Sequence, residues 1–378
     1  MTDWVDLVRR WVPRSFRHGV QRFVPLTATK LRYAERNNPL SAVVSSDEDT
    51  FGAGLRVGIV RNAAQYHRHY VAACLEIGVP FEVLDLSGPD WVARVQESAC
   101  DAFLVWPDAH LASWNTMIKD RITVIESEMD LPVFPTVPEV WLYEDKRRMA
   151  YWLQAHSIPH PKTWIFHDAE SCEAFIGSCD LPVVFKAVFG AGASGVRIFH
   201  ERAALRRWVK KVFRKGFVPD GYDRRDRQWG SIVLQEFLPE ITEWRLVRIG
   251  DSFFGHVKGQ KEGMHSGSGV VEWDVPEGRH LDFLESVTDE GGFRSMDVDV
   301  FETPDGRLLV NELQTVFGAS HSVDQLRVDG VPGRFLRGEG GAWVFEAGDF
   351  ARNHCANERV RFVLERWLQG QSQRGEDR

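Results

Sequence analysis

Short apolar runs alternate with amphipathic stretches from Leu55 onward. The runs LRVGIV, PFEVLDL and DAFLVW predict strands, and apolar positions at helical spacing predict helices around residues 66–77 and 91–98 between them. The order strand, helix, strand, helix, strand is typical of a parallel, doubly wound sheet. No GxGxxG follows the first strand, where the sequence reads VRNAAQ, so a dinucleotide-binding turn is absent. We therefore expect this unit, which ends near residues 131–138, to be a substrate-binding or structural lobe.

A second, mixed pattern begins after a helix predicted at residues 144–155. The run Ser157-Ile158-Pro159-His160-Pro161 predicts an extended segment, because each proline restrains the residue before it. The strands predicted beyond it are PVVFKAV, VRIFH, IVLQEFL, EWRLVRIG and SFFGHVKG, with a basic helix at 202–213. Residues 214–230 are charged and residues 319–350 are rich in glycine, and both stretches are typical of loops; an amphipathic helix is predicted at 353–368.

These patterns predict four segments, which are an N-terminal basic amphipathic arm at 1–50, an α/β lobe at 51–140, a two-lobed region at 141–350, and a C-terminal helix and tail at 351–378. In the arm, aromatic residues from Trp4 to Phe23 are interleaved with arginines, a pattern that suits a membrane surface or a partner. Pro13, Asp3 and Asp6 favour instead a terminal helix docked on its own protein or on the second subunit of a homodimer.

Composition narrows the class of protein. Hydrophobic residues make up 43% and charged residues 26%, as in folded globular proteins. The formal charge of -8 gives no global field that would gather nucleic acid, so no nucleic acid partner is expected. Five cysteines without a CxxC pair favour a reducing compartment, and no apolar run approaches the roughly 20 residues that span a bilayer. We expect a cytoplasmic protein.

A lysine and a glycine-rich turn form the first chemical signal. Lys186 ends the apolar strand Val183–Lys186, and a turn of small residues from Gly190 to Gly195 precedes another strand. Small residues let backbone N–H groups approach an anion, and the lysine adds a compact positive charge, so the arrangement suits a triphosphate. It is not a P-loop, because GxxxxGK[ST] is missing. A glycine-rich hairpin with a snorkelling lysine is the structural alternative.

The second signal is a predicted hairpin with acidic residues on both strands. The strands SMDVDVF and LLVNELQ flank Thr303-Pro304-Asp305-Gly306, and an Asp-Gly turn tip would pair Pro304 with Arg307. Asp299 would then lie opposite Glu312, and Asp297 opposite Gln314, on one face with Cβ atoms about 5 Å apart. Facing carboxylates destabilise a hairpin unless a cation or a proton lies between them, and hard oxygen ligands favour Mg²⁺ or Mn²⁺. The alternative is the wet face of an amphipathic strand, if a bulge breaks this register.

A third cluster follows at the end of the strand IVLQEFL. Gln235, Glu236 and Leu238 precede Pro239, and Glu243 begins the next predicted strand. Where a strand ends in a short linker, its backbone N–H and C=O groups can read an adenine edge, and a nearby carboxylate can accept ribose hydroxyls.

In this order, the three clusters resemble the ATP-grasp superfamily, which includes D-alanine:D-alanine ligase, glutathione synthetase and the ribosomal-protein glutamate ligases. The resemblance covers residues 144–318, and the preceding βαβ unit looks like the pre-ATP-grasp domain. It implies an α/β protein with α+β lobes, namely an ATP-grasp fold behind an N-terminal doubly wound pre-ATP-grasp domain. It also implies ATP and Mg²⁺ as cofactors, with Mn²⁺ as an alternative metal.

The resemblance implies a role for each matching residue. The nucleotide would meet two lysines, the glycine loop, the adenine linker and an acidic ribose contact, which are Lys146, Lys186, Gly190, Gly192, Ser194, Gln235, Glu236, Leu238 and Glu243. An apparent insertion leaves Glu240 as the alternative ribose contact. The metal would be held by Asp299, Glu312 and Gln314, where Gln314 stands in place of the usual Asn. A longer amide still offers an oxygen, so this departure bears on geometry more than on metal binding.

Two cations fall where the superfamily places positive charge against the transferred phosphoryl group, namely Arg245 and Lys258. Pairing with surface carboxylates is their structural alternative. The polar, glycine-rich residues 258–269 predict a closing segment over the substrate, and we give His265 within it no catalytic role.

The resulting hypothesis is an ADP-forming, ATP-dependent carboxylate–amine ligase acting on small-molecule carboxylate and amine substrates through an acyl phosphate. The first lobe and the 258–269 segment would select the substrate. A small-molecule kinase or phosphotransferase would share the nucleotide site and release a stable phosphoryl product. A non-catalytic ATP-binding regulatory protein is the other alternative, favoured by Gln314 and by the N-terminal arm.

Overall fold

The structure is a computed structural model, which describes residues 54–109, 111–190, 194–220, 222–259, 270–317 and 324–376, with side chains to residue 369. The predicted N-terminal arm, Gly192 and His265 lie outside these residues. Within them, no helix is both long and apolar enough to cross a membrane.

The first sheet is the predicted parallel one. Its strands are β1 (Val57–Val60), β2 (Phe81–Leu84), β3 (Ala102–Leu104) and β4 (Val133–Phe134), in the order β2-β1-β3-β4 with all pairs parallel. Its connecting helices are α1 (Arg68–Ile77), α2 (Trp91–Glu97) and α3 (Ala112–Ser127). All four residues of β1 are buried, as expected for a parallel strand covered on both faces. The doubly wound prediction is confirmed.

A short helical section links this sheet to the rest of the chain. Helix α4 (Val137–Leu142) is capped at its N-terminus by a capping box, in which the Glu139 carboxylate accepts a hydrogen bond from the Thr136 N–H at 2.7 Å. The same carboxylate, fully buried, accepts from the N–H groups of Arg294 at 2.7 Å and Ser295 at 2.6 Å. Helix α5 (Lys146–Ala155) follows, capped by Asp145, whose side chain accepts from the Arg147 and Arg148 N–H groups. Glu139 thus connects the first lobe to the start of a later strand.

Replacing Glu139 with alanine should lower the free energy of unfolding by roughly 3–5 kcal/mol, because one buried and two half-buried N–H donors lose their acceptor. Urea denaturation of the purified chain measures this difference. Glu128→Ala, at an exposed position, is the control and should change stability by less than about 0.5 kcal/mol. A Glu139→Ala variant as stable as the control would contradict the assigned role.

The second sheet is antiparallel, with strands β5 (Thr163–Phe166), β6 (Val183–Lys186), β7 (Val196–Phe199) and β8 (Ile232–Glu236) in the order β5-β8-β6-β7. Helices α6 (Ala169–Ser178) and α7 (Arg202–Lys215) supply apolar residues to its core. Strands β6 and β7 form a hairpin that pairs Lys186 with Val196 across the glycine-rich turn. Lys186 therefore stands at the mouth of that turn.

The third sheet carries the acidic strands. It contains β9 (Thr242–Ile249), β10 (Ser252–Lys258), β11 (Val271–Glu272), β12 (Ser295–Glu302), β13 (Leu308–Gln314), β14 (Arg327–Val328), β15 (Val331–Arg337) and β16 (Trp343–Ala347). Helix α8 (Gly278–Glu290) shares a core with Met296, Val298 and Val300 of β12. Because side chains alternate along a strand, Asp297 and Asp299 point to the opposite face.

Two predictions need correction. Residues 327–347 were expected to be a loop, but β14, β15 and β16 form there, since Phe335 and Phe345 pair across two strands and pack together. The C-terminal helix α9 (Arg352–Glu376) extends beyond the predicted end at residue 368, and residues 353–355 near its start have non-helical φ and ψ angles.

The hairpin register is confirmed at the acidic residues and wrong at the turn. Asp297 pairs with Gln314, and Asp299 with Glu312, as predicted. The register then shifts after Asp299, and the Thr303 N–H bonds the Arg307 carbonyl oxygen at 3.0 Å, so Pro304 does not pair with Arg307. Gly306 takes a φ of +81°, which glycine tolerates, and the turn therefore has three residues. Asn311 is the extra residue of the bulge, and it compensates for the longer turn.

Candidate active site

Two lysines converge on strand β13 from distant parts of the chain. Lys146, the first residue of α5, donates to Glu312 Oε1 at 2.9 Å and to the Gly190 carbonyl oxygen at 2.9 Å. Lys186, at the end of β6, donates to Asn311 Oδ1 at 2.7 Å. Asn311 is the bulge residue: Val310 and Glu312 pair with neighbouring residues of β12, and Asn311 between them has no partner on that strand. The second and third sheets thus meet at the two lysines.

The acidic face of the third sheet holds a dense network of charges. Arg245 Nε lies 3.1 Å from Asp297 Oδ2 and 3.3 Å from Asp299 Oδ1, since β9 lies beside β12 and pairs Arg245 with Asp299. Lys258 Nζ donates to Glu243 Oε1 at 3.0 Å and also to Asp299 Oδ2. Lys258 and Arg245 are thus paired with the residues predicted to bind metal and ribose. The pairing with carboxylates that was the structural alternative is present, but its partners Asp297, Asp299 and Glu243 are buried and do not lie at the surface.

Gln314 joins a second buried carboxylate to the network. Its Nε2 donates to Glu312 Oε1 at 2.6 Å and to Glu144 Oε1 at 3.3 Å. Its Oε1 is buried and has no hydrogen-bond partner among the described residues. An unpaired buried amide oxygen is costly, so this oxygen is suited to contact a metal ion or a hydrogen-bond donor.

The pKa values follow from burial and from these pairs. Burial opposes the charge of Asp299 and Glu312, but the pKa of Asp299 is lowered by Lys258 and Arg245, and that of Glu312 by Lys146. Burial raises the pKa of Asp297 to about 8, although Arg245 opposes the shift. Burial likewise raises the pKa of Glu144 to about 7, and Glu312 adds to the effect. Of these four carboxylates, Asp299 and Glu312 are the two whose pairs favour the ionised form.

The glycine-rich turn is anchored by residues far from it in sequence. Gln228 Oε1 accepts from the Val188 N–H at 2.8 Å and from the Phe189 N–H at 3.2 Å. Gly190 has a φ of +146°, a conformation that side chains rarely adopt, and it presents its carbonyl oxygen to Lys146. Ser194 accepts from the Asp220 N–H through its carbonyl oxygen at 3.1 Å. Both ends of the predicted phosphate loop are therefore fixed.

A cleft runs between the second and third sheets beside the lysines. It contains about 320 Å³ of space, including its open mouth. The residues that line it come from α5, the 160–163 segment and both sheets, and include Lys146, Met149, His160, Lys186, Gln235 and Asn311. Gln235 is buried and donates to Thr163 Oγ1 at 3.1 Å, whereas Glu236 Oε1 accepts from the Lys162 N–H at 2.7 Å. Leu238 follows β8, half-buried. The residues predicted to form the adenine linker thus begin at one wall of the cleft.

The oxygen donors fit a hard divalent cation. In the described part of the chain, no group of three or more His, Cys, Asp or Glu side chains is arranged to hold a metal. The predicted set needs only two carboxylates, on Asp299 and Glu312, and the unpaired amide oxygen of Gln314. Mg²⁺ commonly takes one or two carboxylates and completes its shell with water and phosphate oxygens. The donor chemistry therefore matches Mg²⁺ bound with a nucleotide.

Three supporting residues were missed by the sequence analysis, namely Asn311, Glu144 and Gln228. Asn311 would have been found by placing the bulge one residue before Glu312, but the Asp-Gly tip indicated a regular hairpin. Glu144 precedes Lys146 by two residues, and its φ of +53° has no sequence signal. Gln228 lies in the charged stretch that was assigned to a loop.

The affinity for MgATP should fall as pH rises above about 8. Burial lowers the pKa of Lys186 to about 8, with Lys146 acting in the same direction. Only the ammonium form attracts phosphate, so above this pKa binding must take up a proton, and the Kd should rise by up to tenfold per pH unit. Calorimetric titrations at pH 7, 8 and 9 measure this slope. The Lys186→Met variant should bind MgATP more weakly at pH 7, and its Kd should no longer depend on pH in this range. If the pH dependence persisted in the variant, a group other than Lys186 would be responsible for it.

Comparisons with known proteins define the class of fold. No protein-family model matches the sequence, and no curated protein sequence matches it. Solved structures do match, and they show that the chain has the ATP-grasp fold, as the resemblance predicted.

A D-cycloserine synthetase aligns with a TM-score of 0.55 over 82% of this chain and 99% of its own length, at 16% identity. The D-alanine--D-alanine ligase of Bacillus anthracis aligns at 0.51 over 85% and 100%, at 13% identity. An N5-carboxyaminoimidazole ribonucleotide synthetase, solved as an ADP complex, aligns at 0.51 over 71% of both chains, at 14% identity. At these identities the likeness establishes the fold alone.

Proposed function

We propose that this chain is an ATP- and Mg²⁺-dependent ligase that activates a carboxylate as an acyl phosphate and joins it to an amine or a similar nucleophile. The convergence of Lys146 and Lys186 on β13, beside the facing pair Asp299 and Glu312, is the observation that carries the proposal. The ATP-grasp fold supports it, since the three structures compared above are named as synthetases or ligases and one of them holds ADP.

The cleft suggests how the nucleotide would lie. Adenine would meet the segment Gln235–Leu238, and the ribose would meet Glu243 or Glu240. Glu243 is buried and bound by Lys258, whereas Glu240 is exposed, so the structure leaves both assignments open. The phosphates would lie under the Gly190–Gly195 turn, where Lys146 and Lys186 supply positive charge. Gly192 would belong to this turn.

Asp299, Glu312 and Gln314 would hold the metal. When bound, Mg²⁺ neutralises phosphate oxygens and holds them in place, and Mn²⁺ would suit the same donors. Arg245 and Lys258 now bind Asp299, so a metal there would let these cations turn to the transferred phosphoryl group. Their charge would oppose the negative charge that spreads over the phosphoryl oxygens during transfer.

The reaction would proceed in two balanced steps. A carboxylate oxygen of the substrate attacks the γ-phosphorus, and the bond to the β–γ bridging oxygen breaks, so ADP leaves and an acyl phosphate forms. The amine then attacks the acyl carbon, inorganic phosphate leaves, and the amine loses a proton to the solvent or to a base. Exclusion of water by the closed lobes would protect the acyl phosphate from hydrolysis.

The deciding experiment follows ATP consumption with Mg²⁺ across a panel of amino acids and sugar acids crossed with amines, with ADP, AMP and phosphate measured separately. We expect ADP and phosphate that depend on both an acid and an amine. A stable phosphorylated product without an amine requirement would indicate a kinase, and AMP would exclude the acyl phosphate route. ATP binding without turnover across the panel would favour a regulatory protein.

A further inference from the structure

Arg359 is a fully buried cation without a carboxylate partner among the described residues. The largest of the fully buried side chains, it donates from Nε to Ser295 Oγ at 2.8 Å and from Nη1 to the His354 carbonyl oxygen at 2.9 Å. Its Nη2 is buried and makes no hydrogen bond within the described part of the chain. Burying a charge without a counter-ion costs several kcal/mol, so the site is suited to receive an anion.

Two imidazoles with unpaired nitrogens lie close to this guanidinium. The ring centroids of His69 and His354 are 4.1 Å apart, and the Nδ1 atoms of both rings are buried and unpartnered among the described residues. Burial and the charge of Arg359 lower the pKa of His354 to about 4, and burial lowers that of His69. Both rings are therefore neutral near pH 7. A neutral imidazole can donate to a bound anion through one nitrogen.

The backbone around His354 is strained in a way that builds this cluster. Asn353, His354 and Cys355 take φ values of +50°, +57° and +62°, and none of the three is glycine. Such conformations cost of order 1 kcal/mol or more each and persist where surrounding contacts enforce them. Here they direct the His354 carbonyl oxygen to Arg359 and its ring to His69.

The cluster lies at the switch point of the first sheet. In the order β2-β1-β3-β4, the chain leaves β1 to one side and returns to β3 on the other, and ligands of such sheets bind beyond the strand ends there. His69 follows β1, and Trp106 follows β3. The loops are joined by a bond from Asn62 Nδ2 to the Trp106 carbonyl oxygen at 2.9 Å, and Tyr66 stacks on Trp106 at 5.6 Å.

An aromatic ring separates this cluster from the proposed phosphoryl-transfer site. Phe317, three residues after Gln314, has its ring centroid 5.2 Å from Arg359 Cζ and 5.9 Å from Arg245 Cζ. Trp106 lies against Arg359 at 5.6 Å. Both rings are buried. The guanidinium offers a fork of donors that matches a carboxylate.

We propose that Arg359, with His69 and His354, binds a substrate carboxylate that is not the one activated. That the bound molecule is a substrate depends on the proposed ligase function. The carboxylate could belong to the acid, as its second carboxylate, or to an amino acid that acts as the nucleophile. In both cases Arg359 is a specificity-determining residue.

The test measures equilibrium binding to the full chain, without turnover. The probes are benzoate, phthalate and L-phenylalanine, with benzamide and L-phenylalaninamide as amide matches of benzoate and L-phenylalanine that lack the carboxylate, and the readouts are calorimetric Kd and the ligand-induced shift in Tm. We expect at least one carboxylate probe to bind, its amide match to bind at least roughly tenfold more weakly, and Arg359→Met to raise the Kd of that probe by at least roughly tenfold. Binding of phthalate alone would assign the carboxylate to the acid, and binding of L-phenylalanine alone would assign it to the nucleophile.

Arg248→Met is the matched control. Arg248 is also buried and stacks on Phe253 at 4.8 Å, but it pairs with Asp289 at 2.7 Å. Removing Arg248 should lower Tm and leave probe binding unchanged. Removing Arg359 should leave Tm unchanged or raise it, because an unpaired charge is lost, and should leave the shift caused by MgATP intact. If Arg359→Met does not fold, Arg359→Lys replaces it and should weaken probe binding.

The inference is wrong if none of the carboxylates binds, or if the Arg359 variant binds the responding probe as the wild type does. A lower Tm of the Arg359→Met variant together with unchanged probe binding would show that Arg359 is a structural residue. These outcomes are separate from those for the ligase, because a chain that binds MgATP but no carboxylate probe contradicts only the present inference.

Discussion

Replacing Glu312 with glutamine should lower ATP turnover by about 10²- to 10³-fold. Glu312 is ionised, faces Asp299 across the hairpin, and is held by Lys146 and Gln314. Glutamine keeps the size and one oxygen of the side chain but removes the charge that would hold the metal. The fold should persist, because the neutral amide still accepts a hydrogen bond from Lys146.

Steady-state turnover and a titration with Mg²⁺ measure this effect. The variant should need a higher Mg²⁺ concentration for half-maximal activity, which separates a metal-binding role from a purely structural one. Glu302→Gln is the matched control, since Glu302 lies on the same hairpin but pairs with Arg279 and His280 outside the cleft. It should keep most of the activity. Equal losses in the two variants would show that Glu312 acts through stability alone.

Replacing Arg245 with methionine should lower kcat by about 10²- to 10³-fold and change the Kd for MgATP much less. Arg245 lies between Asp297 and Asp299; burial opposes its charge, but these two carboxylates raise the pKa of the guanidinium. If it meets the phosphoryl group only as charge develops, its loss affects the transition state more than the bound nucleotide. Single-turnover rates and nucleotide titrations distinguish the two.

Arg248→Met again provides the control, because Arg248 lies three residues further along β9 and its side chain points to the opposite face. We expect it to lose stability but to retain kcat in the folded fraction. A parallel rise in Kd and loss of kcat in Arg245→Met would instead indicate that this residue positions the nucleotide in the ground state.

Local patterns were sufficient for most elements of this fold. The apolar runs before and after residues 66–77 predicted the parallel strands, since a strand covered on both faces must be apolar throughout. The alternation in SMDVDVF placed Asp297 and Asp299 on one face, because side chains in a strand alternate. The prediction of a loop at residues 327–347 was wrong. The short strands there contain glycine and exposed positions, which are also typical of loops.

The acidic register shows where local inference reaches its limit. The pairing of Asp299 with Glu312 was predicted from an Asp-Gly tip that does not form, and it holds because the bulge at Asn311 compensates for a three-residue turn. The longer turn shifts the strand pairing by one residue, and the bulge shifts it back by one residue. The sequence alone indicates neither the length of the turn nor the position of the bulge. The structure was needed to show that Asn311 faces Lys186.

The sequence by itself determined which residues are apolar, where strands and helices form, and that lysines, glycines and carboxylates occur in an order that resembles ATP-grasp proteins. Only the tertiary structure decided which of them meet. Lys146 contacts Glu312 across 166 positions, and Lys186 contacts Asn311 across 125. Arg359 reaches the first sheet from the C-terminal helix without any pattern that marks it. Such contacts depend on how whole sheets and helices pack, whereas periodicity records only which face of each element is buried.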